Sequence, residues 1–408
     1  MKALLLNPPG DKIYLRDYYC SKTTKSRYYY HPVDLLYLSG WLEHKGYSIE
    51  FLDAQIRMLG FDDTINKISN ISPDLIYSMI GQASLDNDSR FFGILNRRFP
   101  KIPIYLSGDI FMTQPDEVIK EYFPYLKGIV KNFMFPFNNI KDNFSIPLPR
   151  HDIIHDKRYF YPFLSTNKFA TVLTDYGCPF NCSFCLIGKQ GYFKRNIQDV
   201  IRELKYIERL GKQAVYFSDQ NFTALPERTI ELCRRMKEES LIFEGVAFAR
   251  LDQISEVLLD SLRRVGIKTL IFGIESFNQK IRYKTKKLRL TDQEIINRLK
   301  MVKKYGIRTA GTFILGISDD SYENWKRFLI KLPLDYISFN IFVNRNDLKP
   351  GDQSGDKELF DDKRSFELIR MQKKLNNFFY FYHGKIFFVI KNNFRFILQA
   401  IGCPAHIL

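Results

Sequence analysis

The sequence predicts an α/β protein with two parallel sheets, and the order of its apolar segments carries this prediction. Along residues 1–148, short strand-like runs alternate with helix-like runs, which is the order of a doubly wound, Rossmann-like parallel domain. From about residue 169 to residue 343, six further strand–helix units follow. A closed TIM-type barrel needs eight such units, so six units predict a partial (β/α)6 TIM-type barrel.

The Rossmann-like domain is expected to span residues 1–148. Its predicted strands are residues 3–6, 48–52, 75–80 and 104–107. Its predicted helices are residues 35–44, 62–69 and 89–99. After Tyr122 the pattern weakens, and the prolines at Pro147 and Pro149 mark the linker to the next domain.

The partial barrel is expected to span residues 149–348. Its predicted strands are residues 170–174, 214–217, 243–248, 269–272, 308–315 and 336–342. The predicted helices between them include residues 198–210, 228–237, 255–265 and 292–305. Because such folds carry their chemistry at the C-terminal ends of the strands, functional residues are expected at those ends.

Residues 349–408 are expected to form a helical C-terminal extension. This part is first rich in charged residues and then in aromatic ones, above all in residues 378–382. We expect the extension to pack against the barrel and to help close it. An interfacial helix on a membrane surface is the alternative.

The composition excludes several classes of protein and leaves the partner open. With 45% hydrophobic and 15% aromatic residues among 408, the chain is neither disordered nor collagen-like. Its net charge of +16 suits RNA, an acidic substrate or a membrane surface, although codon bias toward Lys explains it equally well. The sequence has no secretory signal and no apolar run of about 20 residues, which predicts a cytoplasmic protein.

Three of the six cysteines are grouped directly after the first predicted barrel strand, as Cys178, Cys182 and Cys185. On a loop that begins after a glycine, cysteines at the spacing C-x3-C-x2-C can point their three thiolates into the same volume. Three soft ligands favour an iron–sulfur cluster, because structural zinc normally takes four ligands. A zinc site completed by a distant histidine, by Cys233 or by Cys403 is the alternative.

The cysteine segment resembles the radical S-adenosylmethionine (SAM) family, whose cluster loop is C-x3-C-x2-C with an aromatic residue before the third cysteine. Phe184 is that aromatic residue here. The resemblance implies a [4Fe–4S] cluster on Cys178, Cys182 and Cys185, with one iron left open for SAM. It also implies reductive cleavage of SAM, so the chain is expected to be a metal-binding radical SAM enzyme.

The likeness to this family continues at the next two strand ends. By the resemblance, Asp219 and Gln220 lie near the amino group of SAM, since an ammonium prefers carboxylate and amide oxygens. Arg250 follows the third strand and can bind the SAM carboxylate in a bidentate manner. A surface pair between Arg250 and Asp252 is the alternative.

Two further strand ends complete the likeness. The turn with Gly273, Glu275 and Ser276 resembles the family's Gly-Ile-Glu-Ser segment, which implies that it offers oxygens to SAM. Gly316 and Ile317 end a segment that resembles the family's adenine-binding element. The expected cofactor-binding residues are Phe184, Asp219, Gln220, Arg250, Gly273, Glu275, Ser276, Gly316 and Ile317.

Segments outside the barrel, namely residues 7–9, 35–42, 46–49 and 52–54, resemble the cobalamin (B12)-binding subgroup of the family. The segment 169–174, which leads into the cysteines, and the tail with residues 378–382 are similar to the same subgroup. By this resemblance the Rossmann-like domain is of B12-binding type, with a corrinoid at the strand ends 78–84 and 107–109. The sequence lacks the usual lower-ligand motif Asp-x-His-x-x-Gly, but some members of the subgroup bind the corrinoid without that histidine. A vestigial domain that serves as a lid or partner platform is the alternative.

The leading reaction is then cobalamin-dependent methyl transfer to an unactivated centre of a small molecule or peptide, which makes the chain a transferase. Cobalamin-independent radical cyclisation, rearrangement or epimerisation is the alternative within the family. An external electron donor of flavodoxin or ferredoxin type is expected in either case. Outside the family, the basic charge suits an RNA-binding module or an RNA-modifying enzyme, although neither nucleic acid nor membrane is supported by a motif.

Overall fold

A computed structural model describes residues 1–23, 28–130, 142–317, 321–342 and 362–384 of the chain. Its described residues form two compact units. Unit 1 contains Met1–Phe160, and unit 2 contains Tyr161–Phe342 and the described part of the C-terminal segment.

Unit 1 is built on a parallel sheet. Its strands are β1 (Lys2–Asn7), β2 (Tyr14–Leu15), β3 (Lys22–Thr23), β4 (Ser48–Asp53), β5 (Leu75–Met79), β6 (Ile104–Ser107) and β7 (Gly128–Ile129). Five of them form the sheet in the order β4-β1-β5-β6-β7, with every neighbouring pair parallel. The antiparallel pair of β2 and β3 stands apart from it. The apolar runs of β1 and β5 are buried along their length, as strands covered on both faces require.

The helices of unit 1 complete the doubly wound arrangement that the sequence predicts. They are α1 (Val33–His44), α2 (Phe61–Ile71), α3 (Leu85–Arg98), α4 (Ile110–Thr113) and α5 (Asp116–Tyr122). In the sheet, β1 lies between β4 and β5, so the strand order reverses at β1. Ligands of doubly wound sheets bind outside the carboxyl ends of the strands at such a reversal.

Unit 2 contains a six-stranded parallel sheet and a short ribbon. Its strands are β8 (Phe169–Val172), β9 (Asp175–Gly177), β10 (Tyr192–Lys194), β11 (Ala214–Phe217), β12 (Glu244–Ala249), β13 (Ile267–Glu275), β14 (Arg308–Leu315) and β15 (Tyr336–Ile341). The large sheet runs β8-β11-β12-β13-β14-β15, so each strand pairs with the next one along the chain. β9 and β10 form a separate antiparallel ribbon after the first sheet strand.

Helices follow the sheet strands of unit 2, which confirms the predicted partial barrel. They are α6 (Ile197–Arg209), α7 (Pro226–Glu238), α8 (Glu256–Arg264), α9 (Gln279–Lys284), α10 (Asp292–Lys304), α11 (Tyr322–Lys331) and α12 (Asp362–Tyr382). Several begin with side-chain caps that the sequence supplies. Thr291 and Glu294, for example, form a reciprocal capping box at the start of α10.

The core of unit 2 closes around an aromatic group at β14, α11 and β15. The buried ring of Trp325 lies edge-on to Phe313 and Phe339, with ring centroids 5.5 and 5.1 Å apart. Such edge-to-face pairs add to the free energy gained by burying the rings. This cluster fixes the last two strands of the sheet against the helix that joins them.

Helix α12 packs against the barrel, as expected for the aromatic segment of the extension. The Tyr380 hydroxyl donates to the Ile337 carbonyl at 3.1 Å and accepts from the Ile337 amide at 3.2 Å. The Phe381 side chain, in contrast, is 77% exposed. The expected extension over residues 349–361 and 385–408 lies outside the described residues. Across the described ranges, no helix combines the length and the apolar character needed to cross a membrane.

A buried ion pair connects α6 to the strand that leads into the cysteines. Arg195 and Glu203 are both fully buried, and their side chains pair at 2.5 Å. The same guanidinium donates to the Leu173 carbonyl at 3.0 Å, directly after β8. A buried charge that loses its partner is strongly destabilising, so this pair constrains the fold of unit 2.

Replacing Glu203 by Gln is therefore expected to lower the free energy of unfolding by about 3–5 kcal/mol, because the Arg195 charge stays buried without a counter-charge. Urea unfolding of the full chain, followed by circular dichroism, measures the change. Glu238→Gln is the matched control, since Glu238 pairs with Arg234 on the exposed face of α7. Equal effects of the two substitutions would contradict the assignment.

Candidate active site

The three grouped cysteines lie on a loop that leaves the ribbon of β9 and β10. Gly177 ends β9 with φ of +81°, and a Cβ at this position would stand 2.0 Å from the Gly191 carbonyl oxygen. Only glycine permits this approach. The Cys178 amide then donates to the same carbonyl at 3.0 Å, and the Cys185 amide donates to the Cys182 carbonyl at 3.0 Å. The loop thus turns back on itself between the first and third cysteine.

The start of the loop is tied to the end of β11 through one carboxylate oxygen. Asp219 Oδ1 accepts from the amides of Thr174 and Asp175, each at 2.7 Å, and from the Thr174 hydroxyl at 3.2 Å. Asp175 is held in turn by the Tyr192 hydroxyl at 2.6 Å and by Arg228 Nε at 3.0 Å. This buried network sets where the cysteine loop begins.

The Cys178, Cys182 and Cys185 thiols are half-buried and close enough to interact electrostatically. Burial raises the pKa of the Cys178 thiol and raises that of Cys185 to about 11, while Lys287 opposes both shifts. Within the described ranges, no three His, Cys, Asp or Glu side chains converge as ligands of a single metal ion. A cluster does not need that arrangement, because each thiolate binds a different iron. Three thiols on one loop can supply three ligands to an iron–sulfur cluster.

Arg250 lies directly after β12 and faces the cysteine loop. Its Nη1 is 3.8 Å from Cys182 Sγ, and its guanidinium lies 4.0 Å from the ring centroid of Phe180. It also forms a bidentate pair with Asp252, at 2.9 and 2.6 Å. The pair with Asp252 is thus present, although Arg250 is buried and not at the surface, and the contact of Arg250 with the SAM carboxylate stays a prediction. Although burial lowers the pKa of Arg250, its hydrogen bonds to Asp252 outweigh that effect and raise it.

The turn after β13 places a carboxylate and an ammonium beside each other. Glu275 is buried with φ of +68°, an unusual conformation for a residue with a side chain. Lys287 Nζ lies 3.4 Å from Glu275 Oε1. Burial raises the pKa of Glu275, and Lys287 opposes this shift. Burial lowers the pKa of Lys287, but Glu275 and the thiols outweigh that effect and leave it above its ordinary value.

Asp219 keeps one acceptor free for a ligand. Its Oδ2 is buried and has no hydrogen-bond partner among the described residues, as is also true of Asn221 Nδ2. Burial, with a contribution from neighbouring Asp175, raises the pKa of Asp219 to about 7. An unpartnered buried carboxylate oxygen is costly unless a donor reaches it, so this position suits a cationic ligand group.

The remaining expected residues lie along the same carboxyl edge of the sheet. Gln220 is half-buried directly after Asp219, and Phe184 is half-buried within the cysteine loop. Ser276 is fully buried, and its hydroxyl accepts from the Asn278 amide at 3.1 Å. Gly316 and Ile317 follow β14, the strand next to β13. The structure thus shows contacts among the cysteine loop, Arg250, Glu275 and Lys287, and places the others at neighbouring strand ends.

Lys287 was not among the residues expected from the sequence. It follows α9 in a segment that also contains Lys284 and Lys286, both of them exposed. Nothing in the local pattern distinguishes one lysine from the others. The tertiary structure does, because the chain before Lys287 packs on the cysteine loop through Thr285 and Lys286, and Lys287 itself pairs with Glu275.

The carboxyl edge of the sheet in unit 1 is the second candidate position for a ligand. The Arg16 guanidinium lies at this edge, bonded to Asp88 at 2.6 Å and to the Pro8 carbonyl at 3.1 Å. Asp109, after β6, accepts from the amide and hydroxyl of Ser21 at 2.6 and 2.9 Å. A Cβ on Gly81, after β5, would stand 2.4 Å from Ser21 Cβ. The segment of residues 10–23 therefore packs across the strand ends.

Two buried carboxylates at this edge retain unpartnered oxygens, namely Asp17 Oδ1 and Asp34 Oδ1. Asp34 accepts from the Ser107 hydroxyl at 3.1 Å, and the Asp17 carbonyl accepts from the Asp109 amide at 3.1 Å. Burial raises the pKa of Asp17 well above its ordinary value, aided by Asp34, and burial raises the pKa of Asp34 to about 7. The edge thus offers acceptors that suit amide or hydroxyl donors of a ligand.

Two solved structures share this fold over most of the chain. TsrM from Kitasatospora setae, a radical SAM methyltransferase whose structure contains cobalamin and a [4Fe–4S] cluster, has a TM-score of 0.63. The match covers 84% of this chain and 75% of TsrM, at 13% identity. OxsB, a cobalamin-dependent SAM radical enzyme solved with aqua-cobalamin and SAM, has a TM-score of 0.63 over 92% of this chain and 56% of its own, at 15% identity. At these identities the likeness concerns the fold.

Replacing Cys178, Cys182 or Cys185 singly by Ala is expected to reduce the iron bound after anaerobic reconstitution by roughly tenfold, because each removes one of three cluster ligands. Iron analysis and the visible absorbance of the reconstituted protein measure the loss. Cys233→Ala is the control, since Cys233 is a buried core thiol on α7. An equal loss in all four variants would show that the ligand assignment is wrong.

Comparison with protein families and curated relatives agrees with the geometry of the cysteine loop. The model of the Radical SAM superfamily matches residues 172–332, which include all three cysteines. An uncharacterized methyltransferase of Pyrococcus horikoshii, PH0819, is 32% identical over 383 residues, covering 84% of this chain and 80% of the relative. Cytidylyl-2-hydroxyethylphosphonate methyltransferase of Streptomyces wedmorensis is 29% identical over 168 residues, covering 40% of this chain and 31% of that enzyme. The chain belongs to the radical SAM superfamily and is an enzyme that uses SAM and a [4Fe–4S] cluster.

Proposed function

We propose that this chain is a cobalamin-dependent radical SAM methyltransferase that acts on a small molecule or a peptide. The observation that carries the proposal is the succession of a doubly wound unit and a six-stranded sheet with a three-cysteine loop at its carboxyl edge. TsrM and OxsB have a similar fold over 84% and 92% of this chain. The names of PH0819 and of the Streptomyces enzyme support methyl transfer as the reaction class.

The bound groups would supply the chemistry, and the protein would position them. When bound, the cluster and SAM supply a reductively generated organic radical, and cobalamin supplies a carrier for the methyl group. Cys178, Cys182 and Cys185 would hold the cluster. Arg250 and Lys287 place two cationic groups beside these thiols, so the loop can carry the negative charge of a thiolate-bound cluster.

SAM would be held by polar groups at neighbouring strand ends. Asp219 would accept from its amino group through Oδ2, the oxygen without a partner. Arg250 would donate to its carboxylate, and Glu275 and Ser276 would contact its ribose and methionine parts. The other residues proposed to line this pocket are Phe184, Gln220, Gly273, Gly316 and Ile317. Burial of these groups would exclude water from the reacting centre.

Cobalamin would be held at the carboxyl edge of unit 1. The segments 78–84 and 107–109 contain no histidine, so an imidazole lower ligand would not come from these strand ends. Asp17 and Asp34 fit the group through their unpartnered buried oxygens, because the amide side chains of a corrinoid are hydrogen-bond donors. We propose residues 1–148 as the cobalamin domain, 149–348 as the radical SAM barrel and 349–408 as an accessory extension.

The proposal identifies the partners of the enzyme only by their class. A flavodoxin- or ferredoxin-type protein would deliver the electron, and the reaction would take place in the cytoplasm. If cobalamin does not bind, the same barrel would carry out a radical cyclisation, rearrangement or epimerisation. The absence of a histidine at the strand ends of unit 1 is the observation that favours this second candidate.

Anaerobic reconstitution of the full chain with iron, sulfide and hydroxocobalamin, followed by desalting and metal analysis, tests the proposal. We expect about four irons and near-stoichiometric cobalt. With SAM and a reductant, the loaded protein should form S-adenosylhomocysteine as well as 5′-deoxyadenosine, because methyl transfer and radical formation consume SAM differently. Iron without cobalt, with 5′-deoxyadenosine alone, would favour the cobalamin-independent reaction. A protein that holds no iron would contradict both.

Asp219→Asn is expected to weaken SAM binding by roughly tenfold while leaving the cluster in place. The asparagine oxygen can still accept from the Thr174 and Asp175 amides, but the side chain no longer carries a charge for an ammonium. Anaerobic equilibrium binding of SAM, with iron content as the parallel measurement, checks this expectation. Asp219→Ala is the comparison. It removes both the acceptor for the Thr174 and Asp175 amides and the charge for the ammonium, so it should also lower the iron content. Unchanged SAM affinity in Asp219→Asn would contradict the proposed contact.

A further inference from the structure

The position of Lys287 indicates a role other than holding the cofactors of the proposed function. Its side chain is 21% exposed, in contrast to the exposed side chains of its neighbours Lys284 and Lys286. The segment that carries Lys287 packs against the cysteine loop: the Thr285 carbonyl accepts from the Ser183 amide at 3.0 Å, and Cys182 Sγ lies 3.9 Å from the Lys286 carbonyl oxygen. Burial raises the pKa of the Cys178 and Cys185 thiols, and the Lys287 ammonium opposes that shift. A charge in such a partly buried position acts more strongly than a solvated one.

The two cations near the cysteine loop differ in how closely a carboxylate pairs with them. Arg250 forms a bidentate pair with Asp252, at 2.9 and 2.6 Å. Lys287 Nζ makes a single, longer contact with Glu275 Oε1, at 3.4 Å. The charge of the Lys287 ammonium is therefore less compensated by its carboxylate partner than the charge of the Arg250 guanidinium is by Asp252.

The backbone keeps Lys287 in this position. A Cβ at Gly273 would stand 2.7 Å from both Cε and Nζ of Lys287, and 2.3 Å from Glu275 Oε1. The absence of a side chain at Gly273 leaves the space in which the ion pair lies. Glu275 reaches this space from a left-handed backbone conformation, with φ of +68°. Such strain is retained only where the surrounding structure imposes it.

We propose that Lys287 sets the reduction potential of the cluster by presenting a fixed positive charge to its three thiolates. The inference rests on the proposed function, because it requires the cluster on Cys178, Cys182 and Cys185. Three thiolates outweigh the charge of a dipositive cluster core, so the oxidised cluster is anionic and reduction adds a further negative charge. A nearby ammonium stabilises the reduced form more than the oxidised form and makes reduction easier.

The test is a redox titration of the reconstituted full chain in the absence of SAM, monitored by electron paramagnetic resonance. Lys287→Met removes the charge and keeps the length of the side chain. We expect it to lower the equilibrium constant for one-electron reduction about tenfold, which corresponds to about 59 mV toward more negative potential. Lys287→Arg should restore most of the potential. Lys284→Met is the matched control, because it removes an exposed lysine three residues away and should leave the potential unchanged.

A second variant keeps the inference testable if Lys287→Met fails to hold iron. Gly273→Ala leaves the lysine in the chain but displaces its ammonium from its present position, because the new Cβ would stand 2.7 Å from Nζ; the potential should therefore fall by a smaller amount. Normal cluster content with an unchanged potential in Lys287→Met would overturn the inference and leave the proposed function intact. Loss of iron in both Lys287→Met and Lys287→Arg would overturn it as well, since packing and not charge would then be responsible. Loss of iron in the unaltered protein would instead refute the proposed function.

Discussion

The candidate site depends on the bond between one carboxylate oxygen and two consecutive backbone amides. Asp219 Oδ1 accepts from Thr174 and Asp175 and thereby joins the end of β11 to the point at which the chain leaves β8. The bonds are buried, where a charged acceptor binds amides more strongly than it does in water. The bonds of Asp175 to Tyr192 and Arg228 then hold the next residue, so the short segment before Cys178 is fixed on both sides. The ribbon of β9 and β10 connects this segment to the cysteines.

A second level of organisation is electrostatic. Carboxylates, guanidinium groups and an ammonium are gathered at the carboxyl ends of parallel strands, where the backbone itself leaves space for them. Asp175 and Asp219 lie close together because Tyr192 and Arg228 donate to Asp175 and backbone amides donate to Asp219 Oδ1, while Asp219 Oδ2 is left without a partner among the described residues. Arg250 follows β12 and lies 3.8 Å from Cys182 Sγ, and Lys287 follows α9 in the segment that packs on the same loop. The site is therefore assembled from residues that are far apart in sequence and share one edge of the sheet.

Periodicity and spacing predicted the architecture well, because buried parallel strands are continuous apolar runs and helices repeat their apolar residues regularly. They did not predict β2, β3, β7, β9 or β10, since strands of two or three residues leave no pattern to detect. For Arg250 the sequence offered the SAM carboxylate or a surface pair with Asp252, and it did not predict that the buried guanidinium contacts Cys182 as well as Asp252. Lys287 could not have been found, because its role depends on the space at Gly273 and not on its neighbours in sequence. The pair of Arg16 and Asp88 could not be predicted either, because the two residues lie 72 positions apart in the sequence.

The segment that packs across the strand ends of unit 1 has a consequence for the order of folding. Ser21 is bonded to Asp109, 88 residues later in the chain, and Arg16 to Asp88. Contacts of such long sequence separation form only after the intervening chain has closed into a loop. The segment therefore cannot reach its native conformation on the nascent chain before β5 and β6 have been synthesised and paired. Until then the polar groups of residues 10–23 stay in water, and the sheet edge that they will cover stays open.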